Sequence, residues 1–125
     1  MGKKRVLMID DEEDFLAITK LNLEQTDVYE VITLSSGREA LDRVHHFRPH
    51  VIILDLIMPS IGGLEVCEML NNDELGQKVP IIILSALGKE VDKLKAFKLG
   101  VVDYMVKPIK TEDLLKKIEK ALIYK

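Results

Sequence analysis

The sequence predicts an α/β protein: a doubly wound, five-stranded parallel sheet covered by five helices. Two observations predict it. Five short apolar runs alternate with five amphipathic stretches along the 125 residues. Within this alternation Val51–Leu54 and residues 81–84 are apolar at every position, so both faces of those strands must be covered. Helices on both sides of a parallel sheet meet that need.

The elements follow in order. Lys4–Ile9 is the first strand. Residues 13–25 read as a helix, with Phe15, Ile18, Leu21 and Leu23 at helical spacing. Residues 29–33 form a weaker strand. Residues 37–47 form a helix with Ala40, Leu41 and Val44 inward and a Glu39–Arg43 pair outside. Val51–Leu54 is the third strand, and residues 63–70 are helical, with Leu64, Cys67 and Leu70 three apart. Next come a strand over 80–84 and a helix over 89–99 closed by Gly100. The strand Val101–Val106 and a helix over 111–124 complete the pattern.

The composition, 47% hydrophobic and 31% charged, is that of a soluble globular domain, and 1–125 reads as one. The single cysteine, Cys67, excludes an internal disulfide framework and suits a reducing cytoplasm. On the apolar stripe of the third helix it reads as core rather than nucleophile. The apolar run after the basic start covers only residues 6–9, too short for a signal core or a membrane span. The net charge of -3 hides an asymmetry: residues 1–88 carry 8 basic and 15 acidic side chains, residues 89–125 carry 10 and 6. The lysines of that last third are spread over two helices without arginines or aromatic platforms. They read as solvated faces, with no direct nucleic-acid binding.

Right-handed crossovers put the carboxyl end of every strand on one edge, where open α/β sheets hold their sites. The first run ends in Asp10-Asp11, the third in Asp55, the fourth in Ser85-Ala86 and the fifth in Lys107-Pro108. The second lacks a distinctive polar end, and in the order 2-1-3-4-5 it lies on the rim. Crowded carboxylates need a cation, and oxygen donors without His or Cys select a hard ion, Mg²⁺ where phosphate also binds. Three carboxylates, Mg²⁺ and Lys107 balance, so the site can receive a phosphoryl dianion. Asp55, alone on the central strand, is the candidate nucleophile for an acyl phosphate, and the adjacent Asp10 and Asp11 are placed to share the metal.

Asp10-Asp11, Asp55 followed by Met58-Pro59 and Gly62-Gly63, Ser85-Ala86 and Lys107-Pro108 together resemble the signature of response regulator receiver domains over essentially the whole chain. The resemblance implies a flavodoxin-like fold and Mg²⁺-dependent phosphorylation of Asp55 by a histidine kinase or histidine phosphotransfer protein. It implies that the Ile57 backbone carbonyl joins Asp10, Asp11 and Asp55 at the metal. It also implies that Ser85 and Tyr104 form a switch which alters the face of helix 4, strand 5 and helix 5. It favours a cis bond at Lys107-Pro108, which the residues alone do not decide. It further implies a monomer or a phosphorylation-dependent dimer.

Plainer readings stand beside these. Asp10-Asp11 also reads as the N-cap of an acidic helix start, and one carboxylate can do both jobs. Met58-Pro59 and Gly62-Gly63 read as a stiffened, turned loop. Ser85 reads also as a strand-ending hydroxyl, and Tyr104 equally as a half-buried strand tyrosine. His45, His46 and His50 read as surface histidines at a helix end. An aspartyl-phosphate phosphatase needs an acid two residues after the nucleophile; Ile57 stands there, so the chain is expected to be no enzyme beyond self-directed phosphotransfer and slow autodephosphorylation. A flavin binder needs a hydroxyl- and glycine-rich loop after the first strand, where this chain has four acids, residues 10–13. The expectation within residues 1–125 is an isolated receiver. Whether it acts alone through a partner protein or joined to an output domain stays open, as does whether Lys89, Lys93, Lys95 and Lys98 meet an acidic partner or only solubilise their face.

Overall fold

The computed structural model describes residues 2–58, 61–86 and 93–123, Lys93 through its backbone only. Its elements are β1 (Lys4–Ile9), α1 (Glu13–Glu24), β2 (Tyr29–Leu34), α2 (Ala40–Phe47), β3 (Val51–Leu54) and α3 (Gly63–Asn71). They continue with β4 (Ile81–Ser85), α4 (Lys93–Lys98), β5 (Val101–Val106) and α5 (Thr111–Ala121). The five strands pair in parallel in the order β2-β1-β3-β4-β5. This is the doubly wound arrangement the sequence predicts and the flavodoxin-like fold the resemblance implies. No helix among the described residues is long and apolar enough to cross a membrane.

The pleat sends alternate side chains to opposite faces and so builds two cores. Leu7, Ile9, Ile52, Leu54, Ile81 and Ile83 face α2, α3 and α4, packing with Val44, Val66, Cys67, Leu70 and Ala96. Val6, Met8, Val51, Ile53, Ile82 and Leu84 face α1 and α5, packing with Leu16, Leu23, Leu114 and Ile118. Each fully buried aliphatic side chain contributes about 1.5–3 kcal/mol. Cys67 lies wholly in the first core, where burial pushes its thiol up to about 12, so it is an inert apolar residue.

Several details differ from the sequence reading. Helix α1 buries Leu16, Thr19 and Leu23 and leaves Ile18 and Leu21 exposed, because residues three and seven apart form the inward stripe. A 3₁₀ turn, Gly37–Glu39, precedes α2; the Ser36 side chain accepts the Arg38 N–H at its start. Another, Gly76–Lys78, follows α3. Strand β4 begins after Pro80, which has no N–H, although the Pro80 carbonyl accepts from Ile52 N–H at 3.0 Å. Helix α5 stops at Ala121 with Leu122 as its C-cap. Gly100 closes α4 at φ 92°, where glycine pays no steric penalty. The expected helix start at 89–92, Pro59 and Tyr124 lie outside the described residues.

The outer edge of β2 is covered by α1. Lys20 Nζ donates to the Val31 carbonyl at 2.7 Å, and the Val31 N–H donates to Glu24 Oε2 at 3.0 Å. An ion pair of 3.6 Å joins the two side chains. Together they occupy strand groups that a second sheet would otherwise use.

Candidate functional site

Backbone hydrogen bonds continue past the strands and fix the site residues. Asp10 N–H donates to the Leu34 carbonyl at 3.0 Å, Asp55 N–H to Ile9 at 2.9 Å and Lys107 N–H to Ser85 at 2.9 Å. Asp10, Asp55 and Lys107 are therefore anchored to the neighbouring strand before their side chains are placed. The peptide bond Lys107-Pro108 is cis, as the resemblance favours.

Three carboxylates converge: Asp10, Asp11 and Asp55 each offer an oxygen within 4.8 Å of the others. Asp10 and Asp55 are buried, Asp11 is exposed. Asp10 Oδ1 accepts the Glu12 N–H at 2.9 Å, and Asp55 Oδ1 the Ile57 N–H at 3.3 Å. The cap reading of the acidic pair needs correction, because the N-cap of α1 is Glu12 and Asp10 instead folds the turn before it. An open cleft of about 280 Å³ is lined by Asp11, Glu12, Asp55, Ile57, Ser85 and Ala86. Buried Ser85 thus shares the cleft with Asp55. Tyr104, half-buried and beside Ile83 in the sheet, packs against the core under α2, α3 and α4 rather than lining the cleft.

Lys107 brings the positive charge. Its Nζ donates to Asp10 Oδ2 at 2.6 Å and Glu12 Oε1 at 2.7 Å, and stands 3.8 Å from Asp55 Oδ2. It lies 4.3 Å from the centre of the Phe15 ring, a cation–π contact. Burial pushes the Asp10 carboxyl above its usual range, and the bonds from Lys107 and the Glu12 N–H only partly offset this. Burial works against the Lys107 ammonium, but its bonds to Asp10 and Glu12 outweigh that and raise its pKa.

In the sequence alone Glu12 is one acid of a helix start and Phe15 an apolar helix residue. Nothing in a run of five acidic residues, 10–14 without a break, tells which one reaches Lys107. The sequence likewise marks Gly63 only as part of a glycine turn. A Cβ there would lie 2.4 Å from the Asp55 carbonyl oxygen and 2.6 Å from Leu56 Cα, so only glycine lets α3 start against the backbone that carries Asp55.

With Glu12 included, four carboxylates face one ammonium, an acid excess that a divalent cation largely neutralises. Oxygen donors of this kind fit Mg²⁺, and no His or Cys stands among the converging group.

The chain is similar to known proteins in sequence and in fold. Residues 6–119 match the family described as "Response regulator receiver domain". The chain is 37% identical over 119 residues to the "Alkaline phosphatase synthesis transcriptional regulatory protein PhoP" of Bacillus subtilis, covering 95% of this chain and 48% of that protein. It thus spans about half the length of the curated relatives it matches. Among solved structures, the chemotaxis protein CheY4 of Vibrio cholerae superposes with a TM-score of 0.88 at 30% identity, covering 96% of this chain and 99% of that one. The receiver domain of the sensor histidine kinase PA1611 of Pseudomonas aeruginosa, solved with a magnesium ion in its active-site cleft, shares the fold at a TM-score of 0.87 and 23% identity. That match covers 97% of this chain and 98% of the other. In sequence and in fold, the chain belongs to the response regulator receiver family.

Proposed function

We propose that residues 1–125 are one phospho-acceptor receiver domain, a signalling domain that takes a phosphoryl group on Asp55 from a histidine kinase or histidine phosphotransfer protein. The observation that carries this is the placement of Asp55 in one cleft with Asp11 and Ser85, with the Asp10 carboxylate and the Lys107 ammonium beside it.

An Asp55 carboxylate oxygen attacks phosphorus in line; the bond from phosphorus to the donor nitrogen breaks, and the electron pair leaves with the imidazole. Lys107 then offers a donor to a phosphoryl oxygen, and Ser85 a hydroxyl to another. Asp10, Asp11, Asp55 and the Ile57 carbonyl would hold Mg²⁺, which neutralises charge on the transferring group. The donor set supports this. With Tyr104, Ser85 forms the switch that alters the face of α4, β5 and α5. An output domain or a partner protein reads that face, as monomer or phosphorylation-dependent dimer. A receiver built this way works in the cytoplasm, where the lone buried Cys67 is at home.

Ile57 offers no polar side chain to position water at the cleft it lines, so the acyl phosphate dephosphorylates slowly. The test is incubation with acetyl phosphate and Mg²⁺. Wild type is expected to be labelled and to keep the label for minutes or longer, and Asp55→Asn to take none. Undiminished labelling of Asp55→Asn, or a lifetime of seconds in wild type, contradicts the corresponding part of the reading.

A further inference from the structure

Lys107 faces the β1–α1 turn more closely than it faces Asp55. Its two short bonds run to Asp10 and Glu12, at 2.6 and 2.7 Å, while Asp55 is 3.8 Å away. The Phe15 ring also packs against the ammonium, 4.3 Å away at its centre. The two short partners differ in kind. The Asp10 side chain is 4% exposed and is also fixed by the Glu12 N–H. The Glu12 side chain is 62% exposed, so it returns to water at little cost when the ammonium leaves. Glu12 is therefore the partner that Lys107 can exchange.

We propose that Glu12 is a resting-state latch for Lys107: a positioning residue that holds the ammonium on the β1–α1 turn and competes for it with the incoming phosphoryl group. The inference rests on the reading of Asp55 as phospho-acceptor. Only hydrogen bonds change, as Lys107 gives up a Glu12 oxygen and takes a phosphoryl oxygen. Because Glu12 also lines the cleft, its charge adds to the repulsion of an arriving dianion until that exchange is made. The latch sets how readily the site accepts a phosphoryl group; it touches neither phosphorus nor the acceptor oxygen.

The test is the affinity of the whole chain for beryllofluoride, a phosphoryl mimic, at saturating Mg²⁺, measured by calorimetric titration. Glu12→Gln weakens the hold on Lys107 and is expected to bind the mimic roughly two- to fivefold more tightly, the range of an exposed ion pair. Two companions separate the latch from charge alone. Glu12→Asp keeps the charge but is one methylene shorter, and is expected to bind more tightly than wild type. Glu13→Gln removes a neighbouring exposed charge and is expected to stay near wild type. The latch is overturned by Glu12→Gln matching wild type, by Glu12→Asp matching wild type, or by Glu13→Gln tightening as much as Glu12→Gln. Wild type that takes up no beryllofluoride overturns the reading of Asp55, and the latch falls with it.

Discussion

The two ends of the sheet are both polar, yet they are built on opposite terms. At the end where strands begin, charges and dipoles are matched. Arg5 Nε donates to the carbonyls of Phe47 and Arg48 at 2.8 and 2.9 Å. The Arg5 N–H donates to His50 Nδ1 at 2.9 Å, and the His50 N–H returns to the Arg5 carbonyl at 2.8 Å. Asp73 accepts from the N–H groups of Gly76 and Leu75 and pairs with His45 Nε2 at 2.9 Å. The Gly76 N–H and His45 hold its carboxyl below the usual range. At the other end burial holds Asp10 above that range, and carboxylates outnumber the ammonium. One end is satisfied by the chain itself; at the other the chain leaves an excess of converging carboxylates.

Substitutions sharpen or break that contrast, beginning with the largest effect. Gly63→Val forces a side chain onto the Asp55 backbone and should cost about 1–3 kcal/mol, read as a lower urea midpoint. An unchanged midpoint would show that this contact gives way freely. Asp10→Asn removes a buried charge that the metal-free fold holds at a net cost. It should raise stability in EDTA by on the order of 1 kcal/mol while weakening Mg²⁺ binding. A loss of stability in EDTA would mean that the two ends are balanced alike.

At the matched end the sign reverses. His50→Ala leaves the Arg5 N–H without its side-chain acceptor and should cost about 1 kcal/mol at neutral pH. Burial, with the charges of Arg5 and Lys4, holds the His50 pKa below its usual value. Its contribution is therefore present above about pH 6.5 and is lost as pH falls through the folded-state pKa. Denaturant midpoints across that window should fall less in His50→Ala than in wild type; parallel curves would remove His50 from the account. The smallest effect is at the β2 edge. Lys20→Ala and Glu24→Ala should each cost about 0.2–1 kcal/mol, and both together should promote self-association, visible in sedimentation at high concentration. A monomeric double variant would show that the edge needs no guard.

The same contrast explains what was legible in the sequence. β1, β3 and β5 have the bounds read from the sequence; the signal is uninterrupted in β3, which is buried throughout, whereas Asp103 breaks the run in the half-buried rim strand β5. The residues after those runs marked the cleft, since crossover handedness alone brings strand ends together. Helix faces were less legible. Helix α1 has enough apolar residues for two stripes, and only packing selects Leu16 and Leu23 over Ile18 and Leu21. His50 looked like a surface histidine, but its role depends on β1 lying beside β3, a contact 45 residues distant in sequence. Glu12 is the clearest case. Its pairing with Lys107 spans 95 residues and depends on the course of one turn, which composition and spacing do not encode.

The most direct test of the unfinished end is to find where a phosphoryl group goes. Wild-type chain treated with acetyl phosphate would be digested and resolved by mass spectrometry, with Mg²⁺ and with EDTA. One phosphoryl group is expected, on the peptide containing Asp55, present with Mg²⁺ and absent with EDTA. A label on another residue, or one on Asp55 that is indifferent to Mg²⁺, would contradict it.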